Sequence, residues 1–147
     1  MRDEDLFAFA RGIRATIFHD HIAVRGVVEL TNRCRVNCMF CPMRRDNMLE
    51  NSTYILDQEA VVMKAHEARA VGINVVLIQG GEIPQTTDII ERAIPEIIEL
   101  FHGRVEVLLN LGNKSRREYE RLKKAGAYSY ILKHETANAA LYEGNEV

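Results

Sequence analysis

The chain has 147 residues, of which 47% are hydrophobic and 27% charged, with three prolines and a formal net charge of −2. That balance excludes a general attraction to nucleic acid or to an anionic membrane. No apolar run approaches the roughly 18–20 residues that span a bilayer, and the charged, amphipathic N-terminus carries no secretory core, so one soluble cytoplasmic domain is expected.

Residues 3–18 read as an N-terminal helix, with Leu6, Phe7, Phe9, Ile13 and Ile17 on a rough apolar face. Residues 24–30 (VRGVVEL) read as a strand, and a cysteine-bearing loop follows at once. Residues 57–71 read as a helix with Asp57 as N-cap and Gly72 just past its end. Residues 73–79 (INVVLIQ) are rich in β-branched residues, as expected of a buried parallel strand. A helix over 87–102 contains Pro95, which predicts a kink or a break into two pieces. Residues 104–110 form a third strand, and Ser115 to Glu118 is a capping-box pattern opening a helix that ends at Gly126. Residues 127–133 form a fourth strand.

Strands that alternate with helices imply a parallel sheet with helical crossovers. The division expected is a helical lead-in over 1–23, four βα units over 24–133, and the start of the next helix over 134–147. In such sheets sites form at the C-terminal ends of the strands. The notable loops all fall there: the cysteine loop, Gly80-Gly81-Glu82, the stretch from Asn110 through Gly112 to Asn113, and the stretch from His134 through Glu135 to Asn138.

All three cysteines, Cys34, Cys38 and Cys41, lie in one loop with spacing Cys-x3-Cys-x2-Cys, and Phe40 precedes the last. An odd set of thiols does not suit a secreted disulfide framework. Three thiolates on so short a loop can converge on one metal centre. Structural zinc prefers four closed ligands, and no second cysteine pair is present. Iron–sulfur clusters are held by cysteine thiolates, and three thiolates on a four-iron cluster leave one iron open. Zinc, or a group of buried thiols, stays the plain alternative. For Gly80-Gly81-Glu82 that alternative is a tight turn with a solvated carboxylate. Glu135 could cap a helix, Asn110 could be a turn residue, and Arg44 with Arg45 could be a solvated basic pair. Asn32 also flanks the cysteine loop. Met39, Met43 and Met48 read as gap-fillers, and His19, His21, His66 and His102 as surface or packing residues.

The cysteine spacing with its aromatic, in ELTNRCRVNCMFCPMRRDN, resembles the radical S-adenosylmethionine (SAM) superfamily. IQGGE, LNLGNKSRREYERLKKAGA and LKHETANAALYE are similar to its biotin synthase-like branch, which includes the SAM-binding iron-only hydrogenase maturase and methylornithine synthase. The likeness runs from about residue 10 to 143. It implies an α/β fold, a partial TIM-type (β/α) barrel of which about the first four strands are present. It implies that Cys34, Cys38 and Cys41 hold a 4Fe-4S cluster whose remaining iron is chelated by SAM. It implies that Phe40 lies by the adenine, that Gly80, Gly81 and Glu82 contact the SAM amino group, and that Glu135 and, less directly, Asn110 contact SAM or substrate. Reductive cleavage of SAM would give a 5′-deoxyadenosyl radical that takes hydrogen from a small-molecule substrate, with flavodoxin or ferredoxin as electron donor.

A whole eightfold barrel takes about 250 residues, so a strand 4 with an open edge is expected to belong to an N-terminal portion of a longer enzyme. A half-barrel completed by a partner chain, or a non-catalytic iron–sulfur or zinc module, are the other readings.

Overall fold

The computed structural model describes residues 2–19, 21–47 and 52–144; Met48 lies outside them. Helix α1 spans Asp3–Phe18 and β1 spans Gly26–Thr31. Then come α2 (Gln58–Ala70), β2 (Val75–Gly80), α3 (Thr86–Leu100), β3 (Glu106–Asn110), α4 (Arg116–Ala125), β4 (Ser129–Tyr130) and α5 (Ala139–Gly144). The four strands form one sheet in the order β1-β2-β3-β4, every neighbouring pair parallel. Val28 stands beside Ile78, and Ile78 beside Leu109.

The local chemistry accounts for the element ends. Asp57 caps α2 by accepting from the Ala60 N–H at 2.9 Å. At α4, Ser115 and Glu118 bond each other's main-chain N–H, and Gly126 ends the helix in the left-handed region at φ 114°. Both are as the sequence predicts.

Residues of alternate sheet positions carry the core. Val28, Leu30, Val76, Ile78, Val107 and Leu109 face Val61 of α2, Ile90, Ala93, Ile94 and Ile97 of α3 and Leu122 of α4, all buried in one cluster. Each valine, leucine or isoleucine side chain there contributes about 1.5–3 kcal/mol by leaving water. The period of two sends Val27, Glu29, Leu77, Gln79, Leu108 and Asn110 to the opposite face. That face is tight at the centre and open at the β1 side: Leu77 and Leu108 are buried, while Val27 is 51% exposed.

Two expectations need correction. Helix α3 is one element through Pro95, so of the kink or break expected there the break does not occur. Pro95 is exposed, so water can serve the carbonyl that its ring deprives of a donor, while Ala93, Ile94 and Ile97 hold the helix to the core. Strand β4 is two residues long rather than the expected seven. It has a partner on one side alone among the described residues; main-chain bonds from Tyr128 to Val107 (2.8 Å) and Ile131 to Leu109 (2.7 Å) extend it slightly at each end.

The outer edge of β1 is partly covered. Ile55 bridges Thr31 antiparallel, the Leu56 N–H donates to Leu30 at 2.9 Å, and the Thr31 hydroxyl donates to the Tyr54 carbonyl at 2.5 Å. Helix α1 has no buried residue; Phe7, Phe9, Ile17 and Phe18 are all exposed.

Candidate metal centre and ligand cavity

A cavity of ≈ 350 Å³ opens at the C-terminal ends of the strands. This size is within the range of ligand pockets, about 300–1,000 Å³. Cys34, Cys38, Cys41, Gly80, Gly81, Glu82, Asn110 and Glu135 all line it. Phe40 does not; its side chain is 55% exposed outside the cavity wall. A larger groove of ≈ 660 Å³ lies between α2 and α3, lined by Met63, His66, Arg92 and Glu96 among others. It holds none of the cysteines or glycines, and hydrogen bonds from Gln58 to Glu96 and from Arg92 to Gln58 (3.0 Å) cross that helix pair. The smaller cavity is therefore where the chemistry-bearing residues meet.

The cysteine loop is ordered by its own backbone. The Cys41 N–H donates to the Cys38 carbonyl at 3.0 Å, and the Arg45 N–H donates to the Val36 carbonyl at 2.9 Å. Asn37 staples the loop across its mouth, accepting from the Asp46 N–H at 3.2 Å and donating to the Asp46 carboxylate at 2.8 Å. Asn32 has a clamp's role, donating to the Ser52 carbonyl at 2.7 Å and accepting from the Tyr54 N–H at 2.9 Å. Arg45 pairs with Asp46 at 2.8 Å and Arg44 reaches the Met39 sulfur at 2.9 Å, which suits the basic-pair reading of those two arginines.

All three thiols are free and partly exposed. Burial pushes the Cys38 thiol above its ordinary value, and the neighbouring Cys34 and Cys41 push it the same way. A bound cationic centre reverses that logic, because a coordinated thiol loses its proton. Among the described residues no three His, Cys, Asp or Glu side chains gather around a single-ion position. Three soft sulfurs on one cavity wall are a donor set suited to an iron–sulfur cluster, in which each thiolate serves its own iron. The residues present fit such a group.

Glu82 joins the parts. Its main-chain N–H donates to Cys34 Sγ at 3.2 Å, and its carbonyl accepts from the Arg35 N–H at 3.0 Å. Its carboxylate, 8% exposed, pairs with Arg35 at 2.5 Å and accepts from the Asn113 N–H at 2.5 Å. The turn after β2 is thereby tied both to the cysteine loop and to the loop after β3.

The two glycines before Glu82 have a packing reason. A Cβ on Gly81 would run into the Arg33 carbonyl and come within 2.8 Å of the Cys34 Cβ; one on Gly80 would meet Thr31 Cγ2 at 2.9 Å. Their bare faces admit the end of β1 at Gly80 and the cysteine loop at Gly81.

Several cavity residues had no assigned role in the sequence. Gln79 donates to the Glu29 carboxylate at 2.6 Å on the inner sheet face, and both line the cavity. Gly112, at φ 72°, lies so near Glu82 that a Cβ there would sit 2.5 Å from that side chain. The Tyr130 hydroxyl donates to the Gly112 carbonyl at 2.7 Å. Strand periodicity could have found Glu29 and Gln79. Arg35 and Asn113 carry no signal until the loops are folded together. Glu135 is exposed and holds a left-handed backbone at φ 56°, an uncommon conformation for a residue with a Cβ.

Both the sequence and the fold have known counterparts. The model of the radical SAM superfamily matches residues 28–141. The chain is 38% identical over 141 residues to the FeFe-hydrogenase maturase subunit HydE of Thermotoga maritima, covering 95% of this chain and 39% of that protein. The structure of the FeFe-hydrogenase maturase HydG from Carboxydothermus hydrogenoformans superposes with a TM-score of 0.86 at 30% identity, over 99% of this chain and 34% of that one. Methylornithine synthase (PylB) also gives a TM-score of 0.86, at 20% identity, a likeness of fold alone. The chain thus spans about two fifths of the length of the curated relative HydE.

Proposed function

The chain belongs to the radical SAM superfamily, and from that premise we propose that it carries the cluster- and SAM-binding part of an enzyme that draws hydrogen from a small-molecule substrate. Cys34, Cys38 and Cys41 would hold a 4Fe-4S cluster, leaving one iron open to the amino and carboxylate groups of SAM. When bound, that pair supplies reductive opening of the sulfonium to a 5′-deoxyadenosyl radical.

The chain's own residues bind, orient and shield. The Glu82 carboxylate, itself buried, accepts the SAM ammonium in a charge-assisted hydrogen bond. Gly80 and Gly81 keep the strand end close to the cysteine loop. Asn110 and Glu135 offer polar contacts from the far wall, and Phe40 reaches the adenine with its main chain. Leu132 adds apolar cover on the β4 side. Electrons come from a small redox protein such as flavodoxin or ferredoxin, which places the work in the reducing cytoplasm. Among the described residues no helix is long and apolar enough to cross a membrane. Further parallel strands beside β4, from a longer chain or a partner, would complete the barrel and supply substrate contacts.

The observation that supports this reading best is the hydrogen bond from the Glu82 N–H to Cys34 Sγ. It puts the thiol loop and the acidic turn on one rim, where a single ligand can touch both. Anaerobic reconstitution with iron and sulfide, followed by ultraviolet–visible and spin-resonance spectra, is the test. A four-iron signal that changes on adding SAM is expected. A colourless zinc protein would refute the reading.

A further inference from the structure

Arg35 sits between the first two cysteines, and its pairing with Glu82 is lopsided. The Glu82 side chain is 8% exposed and the Arg35 side chain 62%, yet the two meet at 2.5 Å. Glu82 lines the cavity and Arg35 does not, so the guanidinium reaches the carboxylate from outside. The contact is doubled by the main chain, where the Arg35 N–H donates to the Glu82 carbonyl at 3.0 Å. The Asn113 N–H fixes the other carboxylate oxygen at 2.5 Å. Lys114, a second cation near this carboxylate, is committed elsewhere: its ammonium bonds the Ile83 carbonyl at 3.1 Å and the Thr86 hydroxyl at 2.9 Å.

A carboxylate offers about four acceptor positions, so two donors leave room for a ligand's ammonium. A buried carboxylate stripped of its cation is costly and turns toward any donor or toward water. We propose that Arg35 is a positioning residue for ligand binding: it holds the Glu82 carboxylate from behind, with its remaining lone pairs directed into the cavity. This rests on the reading that Glu82 receives the SAM ammonium. The planar guanidinium supplies direction that a flexible ammonium does not, so Arg35→Lys restores charge but only part of the geometry.

A double-mutant cycle on SAM affinity tests it, using the full chain reconstituted anaerobically and calorimetry with SAM. Iron per chain is measured for each variant as the readout of a merely structural role. Arg35→Met and Glu82→Gln are each expected to raise the SAM Kd about tenfold with iron unchanged. The double variant should bind no worse than Glu82→Gln alone, and Arg35→Lys should fall between wild type and Arg35→Met. If Glu82→Gln binds SAM as wild type does, the reading of Glu82 fails. If Glu82→Gln weakens SAM while Arg35→Met does not, that reading stands and this proposal is overturned. An Arg35→Met effect of equal size in the Glu82→Gln background also overturns it, since Arg35 would then act by another route. Should Arg35→Met lose iron, Arg35→Gln takes its place on the same terms. Loss of iron in both assigns Arg35 to the fold of the cysteine loop and overturns the proposal.

Discussion

The Tyr130 hydroxyl donates to the Gly112 carbonyl at 2.7 Å, so the last strand pins the loop on which Glu82 rests. Burial pushes the phenol well above its ordinary value, and the nearby Tyr119, its ring edge-on at 4.9 Å, adds to the effect. The hydroxyl therefore stays a donor throughout the neutral range. Tyr130→Phe keeps the ring and removes the tie. It is expected to cost about 0.5–1.5 kcal/mol of unfolding free energy, measured by urea titration. A variant as stable as wild type would show that this bond does not hold the loop.

Gly112 combines a positive φ of 72° with a neighbour that leaves no room for a Cβ. Gly112→Ala has to strain its backbone and displace the Glu82 side chain. A loss of about 1–3 kcal/mol is expected, larger than for Gly72→Ala, where φ is 82° but nothing lies within 4 Å. Equal losses at the two sites would mean that backbone strain alone matters and that the contact with Glu82 does not.

Cys38 has no substitute, since all three thiols lie in the one loop. Cys38→Ala should abolish cluster binding while leaving far-ultraviolet circular dichroism unchanged. Iron and sulfide analysis after anaerobic reconstitution checks it. A SAM-responsive four-iron spectrum from this variant would remove Cys38 from the ligand set.

The start of α4 gives an acid-stability prediction. Donors from the Ser115 N–H, the Ser115 hydroxyl and the Thr87 hydroxyl hold the Glu118 carboxyl down to about 2, from an ordinary 4.5. A carboxyl depressed in the folded state adds stability at pH above its unfolded value, and that stability drains away as the pH falls toward the folded value. The decline should lie between about pH 5 and 2 and be shallower in Glu118→Gln. Ser115→Ala should cost about 1 kcal/mol at neutral pH. Unfolding free energies at a series of pH values decide both; an unchanged acid limb in Glu118→Gln sinks the first.

Much of this was legible in the chain because periodicity and capping are local. Asp57, the Ser115–Glu118 box and Gly126 announce helix ends by chemistry acting within one turn. The four apolar runs read as strands, and their alternation with helices is what a parallel sheet requires. The rim gathered eight of nine expected site residues because loops at strand C-termini share one edge of such a sheet. What escaped depended on contacts far apart in sequence. The length of β4 depends on what stands beside it. The continuity of α3 through Pro95 depends on which side faces water. The partners of Glu82, Arg35 and the Asn113 N–H, come from loops on either side of it and meet once the sheet has set their spacing.

The strand order matches the order of the sequence, with each strand lying beside the one made just before it. The pairing of β2 with β1 needs no chain beyond β2, and it carries Glu82 to Cys34. The thiol loop and the acidic turn are thus joined through the first strand pair, without a contact from β3 or β4. The cysteine corner of the rim is built by the first two strands, and the later strands furnish its opposite wall.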